Sequence, residues 1–273
     1  MSNELCFYRI WELRFVDAEK GFFVSIQEKK DNEQFALKAR EFQVAMERYH
    51  QYDVYRKTGL LVSVLVVSLQ ILTVIHFYMT CFELKLLNSI LAVLFAYMLA
   101  DFVNGLIHMY MDNNTNYNSF FGPFIAAFHL HHLKPRYSDS HFLVVYFNES
   151  GTKFWLVFYL GILIGFQYLP AFPTTINLCL VSFGIFSSLA EVSHYWCHNS
   201  KNRLILILQR YRIFLPKKHH LVHHKMDNKN YAFLNGFSDP FINLIAGYLY
   251  QGYKNNSDAH AKAYQGAQTH NRS

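Results

Sequence analysis

Cysteine is scarce here and poorly placed for chemistry. The four, Cys6, Cys81, Cys179 and Cys197, form no C-x-x-C pair, which argues against both a disulfide framework and a cysteine-based zinc site. The H-E-x-x-H run of a helical zinc hydrolase is absent, and so is any haem-binding or iron–sulfur motif. Charge is missing from whole stretches: residues 59–80, GLLVSVLVVSLQILTVIHFYMT, carry no formal charge, and about 20 such residues cross a bilayer core. Met1 to Phe15 mixes Glu4, Arg9, Glu12 and Arg14 with its apolar residues. No cleavable signal peptide is therefore expected, and the first span is expected to act as the targeting signal. No repeat, low-complexity tract or linker marks off a second domain.

Apolar and aromatic residues are abundant, at 52% and 18% of the 273 residues. Further apolar runs cover residues 84–111, 154–172 and 174–197, with Pro170 and Pro173 separating the last two. The sequence thus predicts an all-α integral membrane protein, a four-transmembrane-helix bundle. Ten Lys and Arg precede the first run, three (Lys134, Arg136, Lys153) lie between the second and third, and eleven follow the fourth, against Lys85 alone on the other side. By the positive-inside rule both termini and the loop 112–153 are expected in the cytoplasm. The net charge of +6 then reads as attraction to anionic lipid headgroups. Nucleic acid is not an expected partner, because the basic residues flank spans and form no separate domain.

Histidine carries the chemical signal. Eleven of the 15 fall in four sets: His108; His129, His131, His132 and His141; His194 and His198; and His219, His220, His223 and His224 in KHHLVHH. Neutral imidazole is the commonest metal-binding side chain, and one zinc uses three or four ligands, so this number points to a pair of ions. His108 ends the second span, His194 and His198 end the fourth, and the other sets follow those ends. All of them can meet at one cytoplasmic face, in a histidine-rich helical cap holding a di-metal centre. Asp101, Asn104 and His108 share one helical face, as do Glu191, His194 and His198. Asp101, Asn104 and Glu191 lie deeper than the histidines, and the two carboxylates are expected to accept the far N–H of ligating imidazoles. His50 and His76 read as structural or interfacial residues, and His260 and His270 belong to the polar tail.

Other segments read more softly. Residues 203–215 and 240–250 are apolar but too short to cross, and read as in-plane interfacial helices. Phe35, Ala39, Phe42, Met46 and Tyr49 form a helical stripe that could lie on the bundle or on the membrane surface. The first thirty residues could form a hairpin.

The segments ADFVNGLIHM (100–109), HHLKPRYSDSH (131–141), HYWCH (194–198) and LPKKHHLVHH (215–224) resemble the Kua or plasmanylethanolamine desaturase family. That family of histidine-box membrane lipid desaturases includes the plant plastid enzyme that places a trans double bond in the palmitate of phosphatidylglycerol. The resemblance covers residues 58–250, leaving 1–57 as a cytoplasmic N-terminal segment and 251–273 as a polar tail. It implies His194 and His198 as one histidine box and His220, His223 and His224 as another, with His108, His131, His132 and His141 as further ligands. His219 also occupies a family histidine position, but adjacent ligands strain a helix, so it could instead support a ligand. His129 stands where an acid is expected, and Phe142 where Asp is expected.

The implied activity is desaturation of an alkyl or acyl chain of a membrane phospholipid, with two iron ions, O₂ and an external electron donor such as cytochrome b5 or a ferredoxin. The implied membrane is a bacterial inner membrane or the endoplasmic reticulum. The rivals are a hydroxylase with the same centre, a zinc-dependent membrane hydrolase, and a metal transporter. A transporter would carry histidines deep in several spans.

Overall fold

The computed structural model describes residue 33 and residues 36–250, apart from residues 82, 134–140, 171 and 227 and the side chains of 131–133. The possible N-terminal hairpin lies outside the described residues. Among the described residues the fold is entirely helical: α1 over residues 36–51, α2 Asp53–Thr80, α3 Leu86–Asn113, α4 Gly122–Leu133, α5 Phe142–Ser150, α6 Phe154–Gln167, α7 Thr174–Asn199, α8 Arg203–Arg210, α9 Lys217–Lys225 and α10 Asp239–Leu249.

Three of these, α2, α3 and α7, are long and apolar enough to cross a membrane. Of the four runs expected to cross, the third falls short: α6 has 14 residues, about 21 Å of helix against a hydrocarbon core of about 30 Å. It stops at Gln167, followed by a turn over residues 168–170. Pro170 has no backbone N–H to continue a helix and disfavours helical backbone at the residue before it.

Packing fixes the helix directions. Val62 and Val66 of α2 pack on Leu156 and Leu160 of α6, and eleven residues on, Gln167 Nε2 donates to Thr73 O. These two helices run together. Helix α7 runs against both, since Gln167 also donates to Asn177 near its start and Gln70 Nε2 donates to Gly184 O and Ser188 Oγ further along. Helix α3 follows α7, with Ala96 and Ala100 in one core cluster with Phe183 and Ala190, and His108 beside His194.

The α3 contact is written in a four-residue repeat. Ala92, Ala96, Ala100, Asn104, His108 and Asp112 are all buried, so one ridge begins with small residues and ends with polar ones. Small side chains let the backbones of membrane helices approach closely, and the same close packing carries the ridge on to its chemistry-bearing end.

The amphipathic stripe of α1 lies on the protein: Phe42, Ala45 and Met46 are buried against Tyr117, Ile125 and Ala126 of the α3–α4 connection and α4. The two short segments are α8 and α10. Both keep apolar residues exposed, among them Leu204, Leu206 and Ile207 on α8 and Phe241, Leu244 and Leu249 on α10.

Gly105 permits the loop after α9 to lie flat on α3. A Cβ there would stand 2.4 Å from Ile242 Cδ1 and 3.1 Å from Ala232 Cα. Gly105→Val should therefore overpack this contact and lower stability by about 1–3 kcal/mol. Thermal unfolding of the purified protein in detergent checks it.

Candidate metal centre

Two pairs of histidines at helical i, i+4 spacing face each other. His194 and His198 end α7, and His220 and His224 lie on α9, with one donor atom from each within 4.8 Å of all the others. His220 Nε2 lies 2.8 Å from His194 Nε2 and 2.9 Å from His224 Nε2. A nitrogen–nitrogen approach of that length has room for one proton, so lone pairs converge on a common point. Burial, then the neighbouring histidines, hold His220 well below the ordinary imidazole pKa, in the neutral form that a metal requires.

A second group adjoins the first: His108 and Asp112 of α3 with His223 of α9, all three buried. Asp112 Oδ2 lies 3.2 Å from His108 Nε2 and 3.3 Å from His223 Nε2. The far nitrogens are occupied by backbone. His108 Nδ1 is 2.6 Å from Tyr231 O and His223 Nδ1 is 2.9 Å from Lys229 O. A carbonyl can only accept, so each Nδ1 carries a proton and each Nε2 turns its other face to the carboxylate. Imidazole anchored by Nδ1–H with Nε2 facing a carboxylate is the arrangement of a metal-ligand histidine. Both groups fit a metal ion on the chemistry of their donors.

Helix α9 serves both groups. His220 and His224 belong to the first and His223 to the second, with the rings of His220 and His223 stacked at 5.5 Å. Phe233 lies between them, 5.1 Å from the His108 ring and 5.3 Å from the His194 ring, and forms an apolar wall.

The expected supporting residues are present but do other work. Asp101 binds a loop backbone and a serine in place of an imidazole. Its Oδ1 accepts from the backbone N–H of Leu234, Asn235 and Gly236, and its Oδ2 from the N–H and hydroxyl of Ser238. It thereby fastens to α3 the loop that supplies the carbonyls of Lys229 and Tyr231. Gly236, at φ +81°, takes a backbone conformation that a side chain would strain, and a Cβ there would also stand 2.9 Å from His219 Nε2.

Asn104 and Glu191 instead meet a lysine. Lys153, at the start of α6 and 4% exposed, donates to Asn104 Oδ1 at 2.7 Å and pairs with Glu191 at 2.8 Å, with its ammonium 5.3 Å from the Phe233 ring centre. The spacing of Asn104 and Glu191 was legible; their partner was not, because in the sequence Lys153 reads as one more loop cation.

His219 stands apart from both groups, with Nε2 2.5 Å from Asp239 Oδ2, and Asp239 Oδ1 accepts from Ala232 N–H. Burial raises the Asp239 carboxyl above its usual range, and His219 counters that. His141 caps α5, accepting from Leu143 N–H, and is exposed. The side chains of His131 and His132 lie outside the described residues. His129 is buried with both nitrogens engaged, by Tyr117 Oη at 2.7 Å and Met111 O at 2.8 Å. Asp112 was missed, although it continues the Asn104, His108 spacing by one more turn.

A family model described as a lipid desaturase domain matches residues 97–248, more than half of the chain and all of the residues of the two groups. Plasmanylethanolamine desaturase 1 of Mus musculus is 27% identical over 156 residues, which make up 52% of this chain and 55% of the mouse protein. The chain thus spans about half the length of that curated relative. No solved structure matches. With apolar helices long enough to span a membrane and histidine pairs facing each other from α7 and α9, the chain belongs to the lipid desaturase family of the plasmanylethanolamine desaturases.

Proposed function

We propose that this protein is an O₂-dependent membrane lipid desaturase that introduces a double bond into an alkyl or acyl chain of a membrane phospholipid at a histidine-ligated di-iron centre. The observation that carries this reading is the pair of adjoining donor groups, His194, His198, His220 and His224 beside His108, Asp112 and His223, in a chain of this family. His131, His132 and His141 are candidate further ligands for the second group. His219 positions α9 through Asp239.

Bound iron with O₂ supplies the oxidant needed to take hydrogen from an unactivated methylene. The balance is that O₂ takes the two hydrogens that leave the chain together with two external electrons and two protons, and becomes two molecules of water. The chain's own residues do the rest. Tyr231 O and Lys229 O orient the His108 and His223 rings, Asp101 and Asp239 hold the loop that carries those carbonyls, and Phe233 keeps the space between the groups apolar. Electrons come from a separate donor, cytochrome b5 or a ferredoxin, because the sequence has no haem or iron–sulfur motif.

Four membrane-traversing segments suit the helix directions. Since α3 and α7 bring their C-terminal ends to one place, the chain must return between them, and α6 runs the right way to do it. A short helix is accommodated by local thinning of the bilayer. The distribution of basic residues supports a cytoplasmic histidine face, in a bacterial inner membrane or the endoplasmic reticulum. Single cysteines at 118 and 225 should be labelled from the same side, and labelling from opposite sides would contradict this topology.

Metal analysis tests the centre. Protein purified under reducing conditions should carry about two irons per chain, and active protein with one tightly held zinc and no iron would rule the reading out. Asp112→Asn keeps the size of the side chain but weakens one donor. It should cost at least about tenfold in iron affinity, with the loss confined to one of the two ions.

A further inference from the structure

We propose that the outer face of α9 is the docking surface for an acidic electron-carrier protein, and that electrons reach both histidine groups through this one helix. The inference rests on the di-iron reading above and adds where its reductant binds.

Helix α9 has nine residues, and its two sides do different work. At about 100° per residue, His220 and His223 fall on one side and are buried, turned to the donor groups that they share with α7 and α3. Lys217, Lys218, Leu221, Val222 and Lys225 fall on the opposite side, and all five are exposed. His224, a member of the four-histidine group, lies at the border and is half-buried. A helix with its side chains is about 10–12 Å across, so a carrier seated on the lysines stands one helix thickness from the histidine nitrogens. Electron transfer falls off exponentially with distance, and a route through a single helix is short.

Charge identifies the partner. Between Glu191 and Asp227 the chain has seven Lys and Arg and no acid. Among the described residues none of Lys217, Lys218 and Lys225 is paired with a carboxylate. A surface of one sign steers a protein of the other sign and raises its rate of encounter by about 10- to 1,000-fold. Leu221 and Val222, 47% and 37% exposed, set an apolar spot among the lysines. An apolar centre with a polar rim is the composition of a protein interface, and electron-transfer encounters are among the smallest, below about 1,200 Å². Anionic lipid would use the lysines as well, but only a carrier has use for the ligands on the reverse side. Each encounter moves one electron from the carrier, which is oxidised, to a ferric ion, which is reduced, and two encounters supply the two electrons of a turnover.

The test uses the iron-loaded protein in nanodiscs of neutral lipid, with the soluble haem domain of cytochrome b5 and a plant-type ferredoxin, both acidic, as probes. Whichever carrier supports turnover should bind more tightly at low salt than at high salt. Lys218→Glu/Lys225→Glu should weaken binding of the oxidised carrier and slow oxidation of the reduced carrier in stopped flow by about tenfold or more at low salt. The difference should close at high salt, and KM for the carrier should rise while iron content and reduction by dithionite stay as in the wild type. Leu221→Glu should act in the same direction, whereas Arg40→Glu, which reverses an exposed cation on α1, should behave as wild type. Carrier binding and oxidation untouched by the α9 substitutions, or turnover with neither carrier, would overturn the proposal. Effects that arise only when anionic lipid is added to the nanodiscs would make this face a membrane contact and overturn it too. Protein that dithionite cannot reduce would refute the di-iron reading itself, and the docking surface with it.

Discussion

His220→Ala is expected to leave the protein folded but unable to hold a metal ion in the four-histidine group, with turnover reduced by more than about 100-fold, the upper range for disturbing merely a partner of a ligand. The reason is geometric. His220 Nε2 lies within 3 Å of two of the others, 2.8 Å from His194 and 2.9 Å from His224, and the residue is 1% exposed. Removing it opens the group at its centre, where the rings of His194 and His224 both approach it. The adjoining group keeps His108, Asp112 and His223, so iron should fall toward half and no further. His194→Ala, His198→Ala, His223→Ala and His224→Ala should also abolish turnover. His260→Ala and His270→Ala, in the polar tail, should behave as wild type. Iron analysis and lipid turnover on the same preparations check all of these, and wild-type iron and turnover in His220→Ala would place the centre elsewhere.

Lys153→Met should be the most damaging change away from the histidines, with a loss of stability of about 3–5 kcal/mol, because it leaves a buried carboxylate without its counter-charge. The side chains of Lys153 and Glu191 are 5% and 11% exposed, and their charged atoms lie 2.8 Å apart. The same ammonium holds Asn104 of α3, so the pair ties the start of α6 to both helices that carry histidines. Removing both charges should be milder than removing one: in Lys153→Met/Glu191→Met most of the lost stability should return, since well-packed apolar residues often replace a buried ion pair at little cost. Thermal unfolding of the single and double variants in one detergent decides it. A double variant less stable than Lys153→Met would show that the two residues do not act as a pair.

What could be read from the sequence was whatever repeats along a helix. Asn104 and His108, Glu191, His194 and His198, and His220 and His224 each share a helical face, and that local periodicity placed them together before any fold was known. Asp112 obeys the same rule, one turn beyond His108, and was not singled out. What could not be read was whatever depends on a distant loop. Asp101 has the spacing of a residue that supports a ligand, yet its oxygens face the backbone of residues 234–238, more than 130 positions away. The carbonyls of Lys229 and Tyr231 leave no mark in a sequence, since every residue has one. His219 looks like its neighbours in KHHLVHH, but a helix turns about 100° per residue, and that turn carries it to Asp239 and away from the two donor groups. The length of α6 was overread for a related reason. Apolar character continues past Gln167, whereas the helix stops where proline forbids it.

The most direct measurement is the lipid product. Expressed in a host that lacks the activity, the protein should convert a phospholipid into one two hydrogens lighter, only in air, only with an electron donor, and not in His223→Ala. A product heavier by one oxygen would make the protein a hydroxylase, and cleavage of a lipid or peptide without O₂ would contradict the account.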